Sequence, residues 1–121
     1  MSGRYWSFVA TLGAAVVLLV TTTTVAQDQG QVREFTISGN RYAFSPSSLT
    51  VNRNDLVKIT FTAHDLPHSF TIDDYRIAKR AGTGQAVTFE FRADRPGTFT
   101  FYCNLSLDEK CKDMKGTLTV K

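Results

Sequence analysis

The sequence predicts an all-β domain, a Greek-key β-sandwich of about seven or eight strands. The first observation is alternation with a period of two: Val57, Ile59 and Phe61 fall on one face of an extended segment, while polar residues occupy the other face. The second observation is the regular spacing of turn-forming residues between short apolar runs. No segment of about twelve residues has convincing helical spacing, so an almost all-β fold is expected.

Each predicted strand is a short run of alternating or β-branched residues. Val87 and Phe89 alternate with polar residues, and Phe99, Phe101 and Cys103 share one face of a later run. Turn-forming residues between the runs lie at 38–40, 45–47, 52–55 and 95–97. The predicted strands span residues 34–37, 42–44, 48–51, 57–63, 69–72, 87–91, 98–103 and 117–120.

Length and composition fit one small domain and exclude several functions. The chain has 121 residues, of which 42% are hydrophobic and nine are phenylalanine, so enough large apolar side chains are present for one core. The net charge of +3 arises from scattered basic and acidic residues, whereas a nucleic-acid-binding protein concentrates its basic residues. Nucleic-acid binding is therefore not expected. Enzyme activity is not expected either, since the sequence has no apparent Ser-His-Asp set, carboxylate pair or phosphate-binding loop.

Residues 1–26 are predicted to be a signal peptide, which leaves residues 27–121 as the mature domain. Arg4 provides a basic start, the segment 8–20 is almost wholly apolar, and small residues lead up to the expected cleavage after Ala26. The apolar run is shorter than the roughly 18–20 residues that span a bilayer, so no membrane span is expected in the mature form; an uncleaved anchor is the alternative. The expected location is periplasmic or secreted, where two cysteines can form a disulfide.

Four side chains that can bind a soft metal lie at two places in the chain. His68 comes just before a predicted strand, and Cys103, Cys111 and Met114 surround the loop between the last two strands. The alternation places the Cys103 thiol on the same face as two phenylalanines, toward the core. Thiolate, imidazole and thioether ligands together favour copper over hard cations, although two sulfurs would also hold zinc.

Three segments resemble the cupredoxins, including the periplasmic domain of cytochrome c oxidase subunit II. They read PHSFTI at 67–72, PGTFTFYC at 96–103 and MKGTLTV at 114–120, and the resemblance covers nearly the whole mature chain. It implies a cupredoxin-like β-sandwich, copper as the cofactor and a function in electron transfer or copper carriage.

The resemblance assigns ligands one residue at a time. His68 matches the first histidine ligand of the family, Cys103 the thiolate and Met114 the thioether. The loop from Cys103 to Met114 reads CNLSLDEKCKDM and contains no histidine, which departs from the family pattern. On the spacing of the binuclear copper subunits, Leu107 falls at the second cysteine and Cys111 at the histidine, so a binuclear site is not expected.

Two functional interpretations remain open from the sequence. In the first, His68, Cys103, Cys111 and Met114 bind copper in an atypical site, and a redox or copper-delivery protein is the expected partner. An ordinary two-histidine site would require His64, which lies outside the matching position. In the second, Cys103 and Cys111 form a disulfide, because two cysteines in an exported domain usually pair. The protein would then be a metal-free binding or accessory module.

Overall fold

The computed structural model describes residue 3 and residues 12–22, 30–106 and 109–121. In these residues nine strands form two sheets, with strand orders β2-β1-β4-β7 and β3-β9-β8-β5-β6. Two short 3₁₀ helices, Asp73–Tyr75 and Glu109–Asp113, lie between strands. The strands are β1 Val32–Asn40, β2 Ala43–Ser45, β3 Ser48–Val51, β4 Leu56–Ala63, β5 His68–Ile72, β6 Ile77–Ala81, β7 Ala86–Arg92, β8 Gly97–Tyr102 and β9 Lys115–Val120.

The predicted all-β Greek-key sandwich is confirmed. β4 shows the expected alternation, since Val57, Ile59 and Phe61 are fully buried while Lys58 is exposed. The chain crosses repeatedly between the two sheets, for example from β3 to β4 and from β4 to β5. β1 pairs with β4 in parallel, as does β3 with β9. The sandwich therefore brings segments that are far apart in the sequence together as neighbouring strands.

The strand count is higher than predicted because β6 was missed. This strand reads IAKRA, and its three central residues, Ala78, Lys79 and Arg80, are all exposed. It is one of the two edge strands of the five-stranded sheet, with an assigned pairing to β5 alone. Charged residues on an edge strand oppose pairing with other chains, but they also remove the apolar alternation from which a strand is predicted.

Phenylalanine rings fill the space between the sheets. The Phe70 ring is stacked on Phe101 with 4.6 Å between ring centroids. Phe44, Phe61 and Phe89 surround Phe70 at centroid distances of 5.9, 6.0 and 5.5 Å. Each buried ring contributes about 1.5–3 kcal/mol through removal of apolar surface from water. This core fixes β5, which carries Phe70, against β4 and β8.

Asp55 closes the end of the sandwich at which β4 begins. Its side chain is buried, and the backbone N–H groups of Gln31 and Asn52 each donate to it at 2.8 Å. The hydrogen bond from Gln31 lowers the pKa of Asp55 below its usual 3.8, against the opposing effect of burial; the bond from Asn52 and the charge of Arg33 lower it further. β4 runs from this end to Ala63, which pairs with Gly39 beside the His68 ring.

The predicted signal peptide lies largely outside the described residues, and its cleavage site is entirely outside them. Residues 12–22 form neither helix nor strand, and their apolar side chains are exposed. In the described parts of the chain, no helix has the length and apolar character needed to cross a membrane.

Candidate metal centre

The four candidate ligands lie in buried positions near strand ends. His68 opens β5, Cys103 follows directly after β8, Cys111 lies in the second 3₁₀ helix and Met114 immediately precedes β9. Their exposed fractions are 1%, 0%, 2% and 0%. β5 and β8 are antiparallel neighbours paired at Thr71 and Tyr102, so the start of β5 and the end of β8 lie at the same end of the sheet.

Hydrogen bonds join the two segments beside His68 and Cys103. The backbone N–H of Ser69 donates to the Cys103 sulfur at 3.4 Å. The Ser69 hydroxyl donates to Asn104 Oδ1 at 2.6 Å and accepts the Asn104 backbone N–H at 2.8 Å. The residue after His68 therefore contacts both Cys103 and the residue after it, which fixes the start of β5 against the end of β8.

The loop from Cys103 to Met114 is closed by its own backbone. The Cys103 N–H donates to the Met114 carbonyl at 3.2 Å, and the Met114 N–H donates to the Cys111 carbonyl at 3.1 Å. These bonds bring the three sulfur-bearing residues of the loop together at its base. Residues 107 and 108, which include the predicted departure from the binuclear pattern at Leu107, lie outside the described residues.

Cys103 and Cys111 form a disulfide in the structure, which is the second of the two states that the sequence left open. Their Cα atoms are 5.2 Å apart, within the usual range for disulfides. Across the described residues, no group of three or more His, Cys, Asp or Glu side chains is arranged to hold a metal ion. In this state the two sulfurs are bonded to each other and are not thiolate ligands.

The His68 ring has one occupied and one open nitrogen. Nε2 lies 2.9 Å from Asp65 Oδ1, whereas the buried Nδ1 has no hydrogen-bond partner among the described residues. Gly39 lies beside the ring; a Cβ atom added to Gly39 would lie 3.2 Å from Cδ2 of His68 and 3.0 Å from the Phe61 ring. Buried polar atoms are normally paired, so an open nitrogen calls for a ligand or another explanation.

Asp65 is an ionised hydrogen-bond acceptor at this site. Burial acts to raise its pKa, but the hydrogen bonds from His68 and from the backbone N–H groups of Arg41 and Leu66 lower it to about 2. The sequence analysis did not single out Asp65. Its position three residues before His68 is the signal that was available, since an aspartate in a turn can form a hydrogen bond with a group a few residues further along the chain.

His64 is placed differently from His68. It is exposed, and its backbone N–H donates to the Gly39 carbonyl at 3.1 Å. The structure therefore gives no support to a second buried histidine at the site.

The donor set fits copper if the disulfide is reduced. Reduction would provide two thiols, one of which already accepts the N–H of Ser69. The other donors are the open Nδ1 of His68 and the buried thioether of Met114. Imidazole, thiolate and thioether are ligands that copper prefers, the sulfurs favouring Cu(I). The residues present thus fit the ion that the resemblance implies.

Known proteins resemble this chain in sequence and in fold. The chain is 27% identical over 101 residues to nitrous-oxide reductase of Stutzerimonas stutzeri; this region is 80% of the chain and spans 16% of the length of that relative. The periplasmic domain of cytochrome oxidase subunit II (CoxB) of Bradyrhizobium japonicum superposes with a TM-score of 0.65 at 14% identity, over 73% of this chain and 83% of that domain.

A copper-loaded domain is also similar in fold. The metal-binding domain of the Cu(I)-exporting P-type ATPase CopA of Streptococcus pneumoniae D39, solved with Cu(I), superposes with a TM-score of 0.61 at 17% identity, over 74% of this chain and 86% of that domain. The family model of the cupredoxin-like domain matches residues 11–120, which is nearly the whole sequence. The resemblance read from the three segments is confirmed, and the chain belongs to the cupredoxin-like domain family.

Proposed function

We propose that this chain is an exported copper-binding protein whose reduced form binds copper through His68, Cys103, Cys111 and Met114. The observation that carries the proposal is the buried Nδ1 of His68, which is without a hydrogen-bond partner in the described part of the chain, next to a residue that contacts the Cys103 sulfur. Bound copper would supply either a one-electron couple for electron transfer or a Cu(I) cargo for delivery.

The protein's own groups prepare these ligands. The Ser69 N–H points at the Cys103 sulfur, where it would stabilise the negative charge of a thiolate. The buried positions of Met114 and His68 keep water from competing for the ligand atoms. Cys111 replaces the histidine that the family places in this loop, and a second thiolate favours Cu(I) over Cu(II). Copper carriage is therefore as well supported as electron transfer.

The site becomes available only when the disulfide is reduced. Reduction adds two electrons and two protons across the Cys103–Cys111 bond and gives two thiols, while a dithiol reductant is itself oxidised to a disulfide. Metal binding then releases protons from the thiols. The disulfide would persist in an oxidising compartment, which agrees with the predicted signal peptide at 1–26 and a periplasmic or secreted location. Its reduction there would depend on a dithiol redox partner.

Cu(I) titration of the reduced mature domain tests the proposal. The protein is reduced with a phosphine, freed of reductant under anaerobic conditions and titrated against a Cu(I) chelator. One tight equivalent per chain is expected for the reduced protein and none for the oxidised protein. Cys103→Ser should abolish binding and His68→Ala should weaken it strongly, while the control His64→Ala, at an exposed position, should leave it unchanged.

A ligand exchange in the loop provides a second readout. Cys111→His restores the ligand type of the family and prevents the disulfide, so this variant should take up Cu(II) and show intense visible absorption from a single Cu(II)–thiolate bond. If the reduced wild-type protein binds no copper while Cys111→His does, the wild-type chain carries the scaffold without its metal.

The disulfide itself favours a second candidate function. With both sulfurs bonded to each other, the domain would be a metal-free binding or accessory module stabilised by a short covalent loop. Absence of Cu(I) binding after complete reduction, with two thiols counted per chain, would support this function over copper binding.

A further inference from the structure

We propose that Asp65 is a positioning residue for the metal site, which holds the proton of His68 on Nε2 and so leaves the Nδ1 lone pair directed at the metal. This inference rests on the proposed copper function. It concerns which of two chemically different nitrogens is available as a ligand, because a neutral imidazole carries its proton on one nitrogen and its lone pair on the other.

The Asp65 carboxylate is held in place by several donors. Oδ1 accepts the Leu66 backbone N–H at 2.8 Å and lies 2.9 Å from His68 Nε2. Oδ2 accepts the Arg41 backbone N–H at 2.8 Å, with Arg41 Nε at 3.4 Å. Donors on both oxygens leave the carboxylate little freedom to rotate. The ring nitrogen at 2.9 Å therefore faces a fixed oxygen.

That oxygen can only accept a hydrogen bond. Each oxygen of the Asp65 side chain already accepts a backbone N–H, Oδ1 from Leu66 and Oδ2 from Arg41, so the group faces donors on both sides, as an ionised carboxylate does. If Nε2 carried the lone pair, two acceptors would face each other at 2.9 Å, and the proton on Nδ1 would lack a buried acceptor among the described residues. Both arrangements are unfavourable, so the geometry selects the tautomer with the proton on Nε2.

The same arrangement makes the ligand stronger. Histidine ligands commonly donate their other N–H to a carboxylate, which orients the ring and raises its basicity; loss of such a partner typically costs about 10–100-fold in metal affinity. Asparagine cannot replace Asp65 fully. Its NH₂ group must face donors on one side or the other, either at Arg41 or at Leu66 and His68.

Nitrogen NMR of the full chain tests the tautomer without copper. In the metal-free wild-type protein with labelled histidine, we expect His68 to show a protonated Nε2, an unprotonated Nδ1 and an Nε2–H proton protected from exchange. In Asp65→Ala, water replaces the carboxylate, since Asp65 is 21% exposed, and the protected proton signal should be lost. Asp94→Asn, at an exposed aspartate paired with Arg95, is the matched control.

Copper affinity tests the consequence for the ligand. Asp65→Asn and Asp65→Ala should each weaken Cu(I) binding by the reduced protein about 10–100-fold. Asp94→Asn should leave the affinity unchanged. Val57→Ala, in the core at the far end of β4, controls for destabilisation, because it should lower the melting temperature without changing the His68 signals or the affinity.

The outcomes separate this inference from the proposed function. A proton on Nδ1 in the wild-type protein, an Nε2–H signal that survives Asp65→Ala, or affinities within twofold of wild type in both Asp65 variants would each overturn it. An equal loss of affinity in Val57→Ala would also overturn it, as a mere stability effect. If the reduced wild-type protein binds no copper, the proposed function fails. The NMR signals alone then decide whether Asp65 holds the His68 proton on Nε2.

Discussion

Reduction of the Cys103–Cys111 disulfide should lower the free energy of unfolding by about 2.5 kcal/mol. The two cysteines are separated by eight positions in sequence, and loop closure over that length removes about this much chain entropy from the unfolded state. For a domain of roughly 90 residues, an entropy of unfolding of about 2.1 cal/mol/K per residue converts the loss into a fall of about 13 °C in melting temperature.

Copper should reverse this loss in the reduced protein. At a free Cu(I) concentration about 1,000 times the Kd, binding to the folded state alone adds about 4.1 kcal/mol. This gain exceeds the stability of about 2.5 kcal/mol that is lost with the disulfide. The copper-loaded reduced protein should therefore melt about 8 °C above the oxidised, metal-free protein.

Thermal and urea unfolding, followed by far-ultraviolet circular dichroism, measure both steps with Cu(I) set by a buffering chelator. Cys111→Ser is the control, because it lacks the disulfide and its stability should not respond to reductant. A reduced protein as stable as the oxidised one would refute the chain-entropy argument. A reduced protein whose melting temperature is unmoved by saturating Cu(I) would refute copper binding to the folded site.

Three further predictions concern groups outside the ligand set. Asp55→Asn should cost about 1–3 kcal/mol at neutral pH by weakening buried hydrogen bonds. Because folding lowers the pKa of Asp55, its stabilisation is complete above about pH 5 and is lost as the pH falls through the folded-state pKa, so urea midpoints of the variant should vary less with acid pH than those of wild type. Gly116→Ala should cost about 1–3 kcal/mol in urea unfolding, since the added Cβ would overlap a core phenylalanine ring; a normal midpoint would contradict the packing. Asp73→Asn should lower the raised pKa of Tyr102, whose hydroxyl donates to that carboxylate, toward its usual 10 in a phenolate absorbance titration; an unchanged titration would contradict the contact.

Strand positions were predictable wherever one face of a strand is buried. β4 and β7 alternate because their core-facing residues must be apolar, and both were predicted within about two residues of their ends. β6 lacks this constraint, since its central residues are exposed. The parallel pairing of β1 with β4 was not predictable, because a period-two pattern is the same for either strand direction.

The site was predictable in its residue types but not in its chemical state. The sequence supplied His68, the two cysteines and Met114, and the sandwich places all four in buried positions. Sequence spacing cannot decide between a disulfide and two thiols, because that depends on the distance between Cα atoms and on the redox environment. Asp65 was missed because an aspartate in a turn is common, and only its 2.9 Å distance from His68 sets it apart.

The disulfide and the proposed copper site use the same two sulfurs, so oxidation and metal binding exclude each other. In the oxidised state the covalent bond stabilises the loop and the Nδ1 of His68 keeps no partner among the described residues. In the reduced state the loop loses that bond, and a metal held by both sulfurs and Nδ1 would close the loop again. In the ordinary family pattern, a histidine at the Cys111 position cannot form the disulfide. Under the proposed function, the Cys111 replacement therefore makes copper loading depend on the supply of reducing dithiol as well as on copper itself.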